Sequence, residues 1–171
     1  MAVATLVPIE EYLSTSWHPD REYVDGRLIE RNVGEFDHGR LQYLIAKLLD
    51  RRGLLSCVEV RTQVRAGRYR IPEVLAIRGA RPADRFLRQP PYIVVEILSR
   101  DDRASDLNDK IEDYLDFGVE NIWVVDSRRR RVTIQTRDGG RICRETVKTS
   151  DGSVSIPLTE IFEEMPSAED E

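Results

Sequence analysis

The chain has 171 residues, of which 33% are charged and 40% are hydrophobic, and its formal net charge is -5. This length and composition predict one globular domain with a sizeable core. The negative charge argues against a surface coated with nucleic acid but leaves room for a local basic groove. Cys57 and Cys143 lack the spacing of metal ligands, and no segment approaches the roughly 20 apolar residues of a membrane span. We expect a cytoplasmic protein.

Hydrophobic periodicity and turn residues predict the elements in chain order. They are a short helix at 8–13, a hairpin at 22–32 around Asp25-Gly26, a helix at 37–52, strands at 57–65, 69–77 and 92–98, a helix at Ala104–Phe117, a strand at Asn121–Asp126, a hairpin at 132–147 and a helical turn at 158–162. This order predicts an α/β or α+β fold with a mixed central sheet. We expect one domain at 1–163 and a disordered acidic tail at 164–171.

Glu96 stands out because it lies inside the apolar segment 92–98. Apolar residues on both alternating faces indicate a strand covered by protein on both sides. An ionised carboxylate there is costly unless it is paired, hydrogen-bonded or bound to a metal. The alternative is a solvated glutamate at the strand end, or one paired with an arginine.

Glu73 is the second candidate, since antiparallel pairing of 69–77 with 92–98 places it roughly opposite Glu96. Opposed residues are about 5 Å apart at Cβ, so the two carboxylates would repel unless a cation lay between them. Mg²⁺ binds through one or two carboxylates and can activate water for attack on a phosphoryl group. A register shifted by one residue would instead point Glu73 into solvent.

Lys110 lies on the helix after Glu96 and could stabilise developing charge on a phosphate at the end of that strand. The alternative is a surface ion pair with Asp106, four residues earlier on the same helix. His38, at a helix start, is more typical of a cap or surface residue. The four arginines at 128–131 could bind phosphate or form a solvated turn.

The sequence resembles a known bacterial family from about residue 9 to residue 160. The resemblance rests on segments 22–30, 69–74, 91–99, 106–114, 118–119 and 123–126, together with His38. They are similar to the restriction endonuclease family of Uma-two type, in the PD-(D/E)xK nuclease superfamily.

This resemblance implies a restriction-endonuclease-like core and a metal-dependent phosphodiesterase. The family's two acids fall on Glu73 and Glu96, which would hold the metal. The usual lysine position falls on Leu98, and Lys110 would substitute for it. Glu73 stands where the family pattern has Asp. Glu22 could lie near the same cleft, although a solvated strand-edge glutamate is the alternative.

Three hypotheses follow. The first is a DNA endonuclease that uses Mg²⁺ or Mn²⁺ with Glu73, Glu96 and Lys110 as catalytic residues. The second is a catalytically impaired protein of the same fold that binds nucleic acid or dimerises, and the third is a purely structural interaction protein. A homodimer would suit the first, because cutting both strands of a duplex needs two sites.

Overall fold

A computed structural model describes residues 6–31, 35–100 and 102–165. Their helices are α1 (Ile9–Ser14), α2 (Phe36–Asp50), α3 (Ala104–Phe117) and α4 (Leu158–Ile161). Their strands are β1 (Arg21–Val24), β2 (Arg27–Glu30), β3 (Leu55–Val58), β4 (Thr62–Arg65), β5 (Arg68–Arg70), β6 (Val74–Ile77), β7 (Ile93–Ile97), β8 (Asn121–Asp126), β9 (Arg131–Thr136), β10 (Gly139–Ile142), β11 (Thr146–Lys148) and β12 (Ser155–Pro157). Asn32, predicted at the end of the first hairpin, lies outside the described residues.

The central sheet has the strand order β10-β9-β8-β7-β6-β3. Strands β7 and β8 are parallel, and the other neighbouring strands of this sheet are antiparallel. A parallel pair needs a long crossover connection, and α3 provides it. Gly118 ends α3 in the left-handed conformation, with φ of 98°, which glycine adopts without strain. The predicted mixed sheet is confirmed.

Helices cover the central sheet on both faces, which explains the nearly continuous apolar sequence of β7 and β8. Leu41, Ile45 and Leu49 of α2 pack with Val95 and Trp123 on one face, in the larger core cluster. On the other face, side chains of α3 pack against alternate residues of β7 and β8, namely Ile111 and Tyr114 against Val94, Ile122 and Val124. Glu96 shares this second face with Val94, because side chains two residues apart point the same way.

A second sheet, in the order β2-β1-β5-β4, lies beside the first. The strands predicted at 57–65 and 69–77 are therefore wrong, since each divides between the two sheets. The first divides near Glu59, whose φ is 54° and does not suit a strand. The second divides between Arg70 and Val74, where Pro72 has no N–H to donate to a ladder.

Two predictions near the C-terminus also differ from the structure. The hairpin predicted at 132–147 ends earlier, because β9 pairs with β10 only to Ile142 and β11 pairs with β12 instead. The packed chain extends at least two residues beyond the predicted boundary at 163, since Glu164 pairs with Arg40 and Met165 is buried. Residues 166–171 lie outside the described part. Within the described part, no helix has the length and apolar character required to cross a bilayer.

Candidate active site

The two sheets and α3 meet at a buried cluster of charged side chains. The Lys110 ammonium lies 3.2 Å from Glu22 Oε1 and 3.2 Å from Glu96 Oε2, so one cation links two carboxylates. Glu22 belongs to β1 and is 1% exposed, while Glu96 belongs to β7 and is 4% exposed. The expectation of a solvated Glu22 at a strand edge is wrong. Lys110 pairs with these two glutamates, so the alternative considered for it, a surface pair with Asp106, is also wrong.

Glu73 directly precedes β6 and faces Glu96 across the strand pair. Val74 pairs with Val95 in the ladder, and continuing this register by one residue places Glu73 opposite Glu96. The Glu73 side chain is 12% exposed. The backbone positions of the two acids are therefore opposed, at the point where the chain crosses from one sheet to the other. Their carboxylates have different partners, since Glu73 contacts Arg31 and α2 while Glu96 contacts α3.

Three side chains lie within hydrogen-bond distance of the Glu73 carboxylate. Arg31 donates from Nη2 to Oε1 at 2.7 Å, His38 Nε2 lies 3.0 Å from Oε2, and Gln42 Nε2 donates to Oε2 at 3.1 Å. His38 and Gln42 are neighbours on α2, one turn apart. The surface or cap role considered for His38 is wrong.

Besides Lys110, Glu22 contacts a buried arginine and a backbone N–H. Arg70 donates from Nη1 to Glu22 Oε2 at 2.9 Å, and the Ile71 N–H donates to Oε1 at 3.0 Å. Arg70 Nε in turn donates to Asp113 Oδ2 at 2.6 Å. Asp113 lies one turn after Lys110 on α3, so the same helix anchors both ends of this ion-pair chain.

Tyr114 completes the hydrogen bonds of Glu96. Its hydroxyl donates to Glu96 Oε1 at 2.6 Å, and the ring is fully buried. Lys110 and Tyr114 are four residues apart on α3 and therefore approach Glu96 from the same helix face. Both oxygens of this carboxylate are thus held by one helix.

The environments of the three glutamates shift their pKa values in different directions. Burial raises the pKa of Glu96, Lys110 opposes this, and the nearby charges of Glu73 and Glu22 raise it further. Burial would also raise the pKa of Glu22, but Lys110 and Arg70 outweigh it and the net pKa is lowered. For Glu73, the hydrogen bond with His38 and the charge of Arg31 overcome burial, so its pKa is lowered as well. Glu96 is therefore the acid whose negative charge is least compensated.

These residues offer donors for a divalent cation, although the described residues include no group of three or more His, Cys, Asp or Glu arranged to hold a metal. Two opposed carboxylates suffice for Mg²⁺, which keeps several waters. The Oε2 atom of Glu96 has Lys110 as its hydrogen-bond partner at 3.2 Å, and the raised pKa of Glu96 reflects negative charge that a cation would relieve. For Glu73 and Glu96 to bind Mg²⁺, Glu73 would have to exchange a contact with Arg31 or His38 for the ion.

Sequence reasoning missed several side chains of the site. Arg31 and Arg70 belong to an arginine-rich chain in which single arginines carry little signal. Tyr114 is a fully buried aromatic residue, and nothing in the sequence marked the contact of its hydroxyl with Glu96. The spacing of His38 and Gln42 on one side of α2 was the available signal for a polar contact at the sheet end.

The mixed sheet, with Glu73 and Glu96 at one end and a buried lysine on the crossover helix, matches the class of nuclease-like proteins with a restriction-endonuclease-like core. The family model described as Uma2, putative restriction endonuclease, matches residues 9–166, and the chain belongs to this family. This finding confirms the resemblance that the sequence motifs indicated. No curated protein matches the chain.

Among solved structures, the chain is similar to a putative nuclease belonging to DUF820 from Anabaena variabilis ATCC 29413. The two are 18% identical, with a TM-score of 0.76, and the match covers 92% of this chain and 98% of the other. At this identity the similarity shows the fold, and the roles of individual residues must come from the site itself.

Proposed function

We propose that the protein is a metal-dependent endonuclease that hydrolyses phosphodiester bonds in DNA. The observation that carries the proposal is the contact of Lys110 with Glu96, at 3.2 Å, at the sheet end where the extended register places the Glu73 backbone opposite Glu96. Membership of a family described as putative restriction endonucleases supports it. Opposed acids next to a cationic donor suit a reaction in which negative charge develops on a phosphoryl group.

Glu73 and Glu96 are the residues that would hold Mg²⁺ or Mn²⁺. When bound, the ion would supply activation of an attacking water and neutralisation of charge on the phosphoryl oxygens. Glu96 is prepared for this role because Tyr114 and Lys110 fix both of its oxygens. The burial of Glu96 excludes bulk water, which strengthens its attraction for a cation.

Lys110 would stabilise the transition state through its remaining N–H. An ammonium has three donors, and Glu22 and Glu96 take two of them. The Lys110 side chain is 19% exposed, so the third donor has access to solvent. Glu22, which is balanced by Arg70, would act as a positioning residue that holds the ammonium in place.

Plasmid nicking with Mg²⁺, Mn²⁺ or EDTA tests this function. We expect metal-dependent nicking by the wild type and none by Glu96→Ala or Lys110→Ala. Asp106→Asn is a matched control, because Asp106 lies one turn before Lys110 on α3 and is exposed. Nicking by Glu96→Ala at the wild-type rate would contradict the proposal.

A second candidate is a nucleic-acid-binding protein that has lost catalysis. Both oxygens of Glu73 accept hydrogen bonds from protein side chains, which favours this alternative because a metal must displace one of them. DNA binding without nicking in any metal would support it. We also propose a homodimer for the active enzyme, since cutting both strands needs two sites, and sedimentation with and without DNA tests this.

A further inference from the structure

We propose that the arginine turn, defined here as residues 127–131, binds the phosphodiester backbone of a nucleic acid beside the Glu96 site. The inference rests on the proposed function, because the nucleic acid is taken to be the substrate of that site. No step of the chemistry proposed above uses these arginines, and the sequence alone left them between a phosphate site and a solvated turn.

The topology of the sheet brings the arginine turn to the same edge as the candidate site. Strands β7 and β8 are parallel, so the segments that follow them leave the sheet side by side. Leu98, just after β7, donates its N–H to the Val125 carbonyl at 2.8 Å, so the two chains remain adjacent there. The arginine turn therefore lies at the same edge of the sheet as Glu96.

Strand register gives the separation. Glu96 pairs with Val124, which pairs with Thr133 in the next strand, while Asp126 pairs with Arg131 two residues nearer the edge. Two strand spacings and two residues of rise correspond to about 12 Å between the Cα atoms of Glu96 and Arg131. Successive phosphates of one DNA strand advance by about 3.4 Å along the helix axis, so a backbone at Glu96 would reach the turn within a few nucleotides.

The side chains of the turn have two different environments. Arg128 is exposed, Arg129 is 72% exposed and Arg131 is 37% exposed. Arg130 instead donates to the carbonyls of Phe162 and Met165, and its φ of 47° turns the backbone. One arginine thus anchors the turn to the C-terminal segment while its neighbours face solvent.

The charge of this edge is positive in a protein whose net charge is negative. Asp126 accepts hydrogen bonds from the Arg129 side chain at 3.1 Å and from the Arg129 N–H at 3.1 Å, and Arg131 lies 3.7 Å from it. Asp126 therefore pairs with the exposed Arg129 and the half-buried Arg131, while Arg128 is exposed beside them. Asp102 and Arg103, which precede α3 on the neighbouring segment, are both exposed and offset each other. The surplus of cations matches a polyanionic backbone.

The test compares two variants that remove the same charge at opposite ends of the strands. Arg128→Gln/Arg129→Gln changes the turn. Arg81→Gln/Arg85→Gln changes two exposed residues between β6 and β7, at the end of β7 away from Glu96. Binding of a fluorescent mixed-sequence DNA duplex is measured by anisotropy over a salt series in EDTA, where no metal-dependent cleavage occurs.

We expect the turn variant to reduce the magnitude of the slope of log K against log salt by about two, and to weaken binding about tenfold, because each lost phosphate contact contributes about 0.9 to the slope. The control pair should bind like the wild type. Arg128→Lys/Arg129→Lys keeps both charges and should retain the slope, which separates a lost phosphate contact from a folding defect. Equal slopes for the turn variant and the control, or no duplex binding by the wild type, would overturn the inference.

Plasmid nicking by the same proteins separates this inference from the proposed function. If the wild type binds duplex through the turn but never nicks DNA in any metal, the enzyme proposal fails and the binding surface stands. If the wild type nicks DNA and the turn variant binds and nicks equally well, the surface fails and the enzyme proposal stands.

Discussion

Glu22 and Lys110 are in contact, with Oε1 of the glutamate 3.2 Å from Nζ of the lysine. Glu22 belongs to the smaller sheet, whereas the other partner of Lys110, Glu96, belongs to the larger one. A single ammonium therefore links the two sheets at the candidate site. Its pKa is raised, because the charges of Glu96 and Glu22 outweigh burial, so Lys110 is held in the charged form.

Replacement by glutamine should change the free energy of unfolding by different amounts at the two glutamates that contact Lys110. Glu22→Gln is expected to cost about 3–5 kcal/mol in the free energy of unfolding, because it removes a buried carboxylate that pairs with both Arg70 and Lys110. Glu96→Gln should change stability by about 1 kcal/mol or less, or increase it, because burial and the charges of Glu73 and Glu22 disfavour its ionised form. Denaturant unfolding in EDTA at neutral pH measures both. A larger loss for Glu96→Gln than for Glu22→Gln would show that Glu96 is the structural anchor.

The pH dependence of stability should also differ in sign between these variants. The folded-state pKa of Glu96 is raised above its ordinary value of 4.5. Between pH 4.5 and the folded-state pKa, Glu96 is ionised in the unfolded chain but still protonated in the folded chain. The free energy of unfolding of the wild type should therefore fall, relative to that of Glu96→Gln, as pH rises through the folded-state pKa. The folded-state pKa of Glu22 is lowered, so the advantage of wild type over Glu22→Gln should be present above pH 4.5 and disappear as pH falls through the folded pKa. Thermal melts over a range of pH measure both differences. If the melting temperatures of the wild type and the two variants changed with pH in the same way, the opposite pKa shifts of Glu96 and Glu22 would be contradicted.

Magnesium should stabilise the wild type through Glu73 and Glu96. A ligand that binds only the folded state adds about 2.7 kcal/mol at one hundred times its Kd. The melting temperature should therefore rise with Mg²⁺ in the wild type and stay constant in Glu96→Gln and Glu73→Gln. Arg31→Gln should strengthen the response, because it removes the guanidinium that lies 2.7 Å from Glu73.

The control for the magnesium experiment is Glu59→Gln. Glu59 is the other ion-pair partner of Arg31, at 3.3 Å, and its replacement leaves the contact between Arg31 and Glu73 in place. We expect a wild-type response from this variant. A magnesium response that persists in Glu96→Gln would place the ion elsewhere.

Lys110 and Tyr114 should affect turnover to different degrees. Lys110→Met removes a cation beside the reacting phosphate and is expected to lower kcat about 10²- to 10³-fold, similar to the loss of one transition-state donor. Tyr114→Phe removes the 2.6 Å hydrogen bond to Glu96 but keeps the buried ring, so a loss of about tenfold is expected. Plasmid nicking rates at saturating metal measure both effects. If Tyr114→Phe matched Lys110→Met, the hydroxyl would take part in the reaction more directly than a positioning role allows.

Local patterns in the sequence were enough to locate several elements. Hydrophobic periodicity and turn residues located α3 with the bounds that the structure has, and Asp25-Gly26 marked the turn of the first hairpin. These elements depend on contacts between residues close in the sequence, so they can be predicted without knowledge of the tertiary structure. The apolar surroundings of Glu96 indicated a compensated carboxylate for the same reason.

The partners of that carboxylate were decided by the tertiary structure. The sequence does not show that 57–65 and 69–77 each divide between two sheets, because a strand pattern carries no information about which sheet receives it. That division brings Glu22 to Lys110 and leaves Glu73 in the crossing segment. Burial of Glu22 depends on Arg70 and Asp113, which are far from it in the chain. Ion pairs of this kind form only when the fold brings distant side chains together and removes water, so local sequence determined where the elements lie and the packing of the two sheets decided what the site contains.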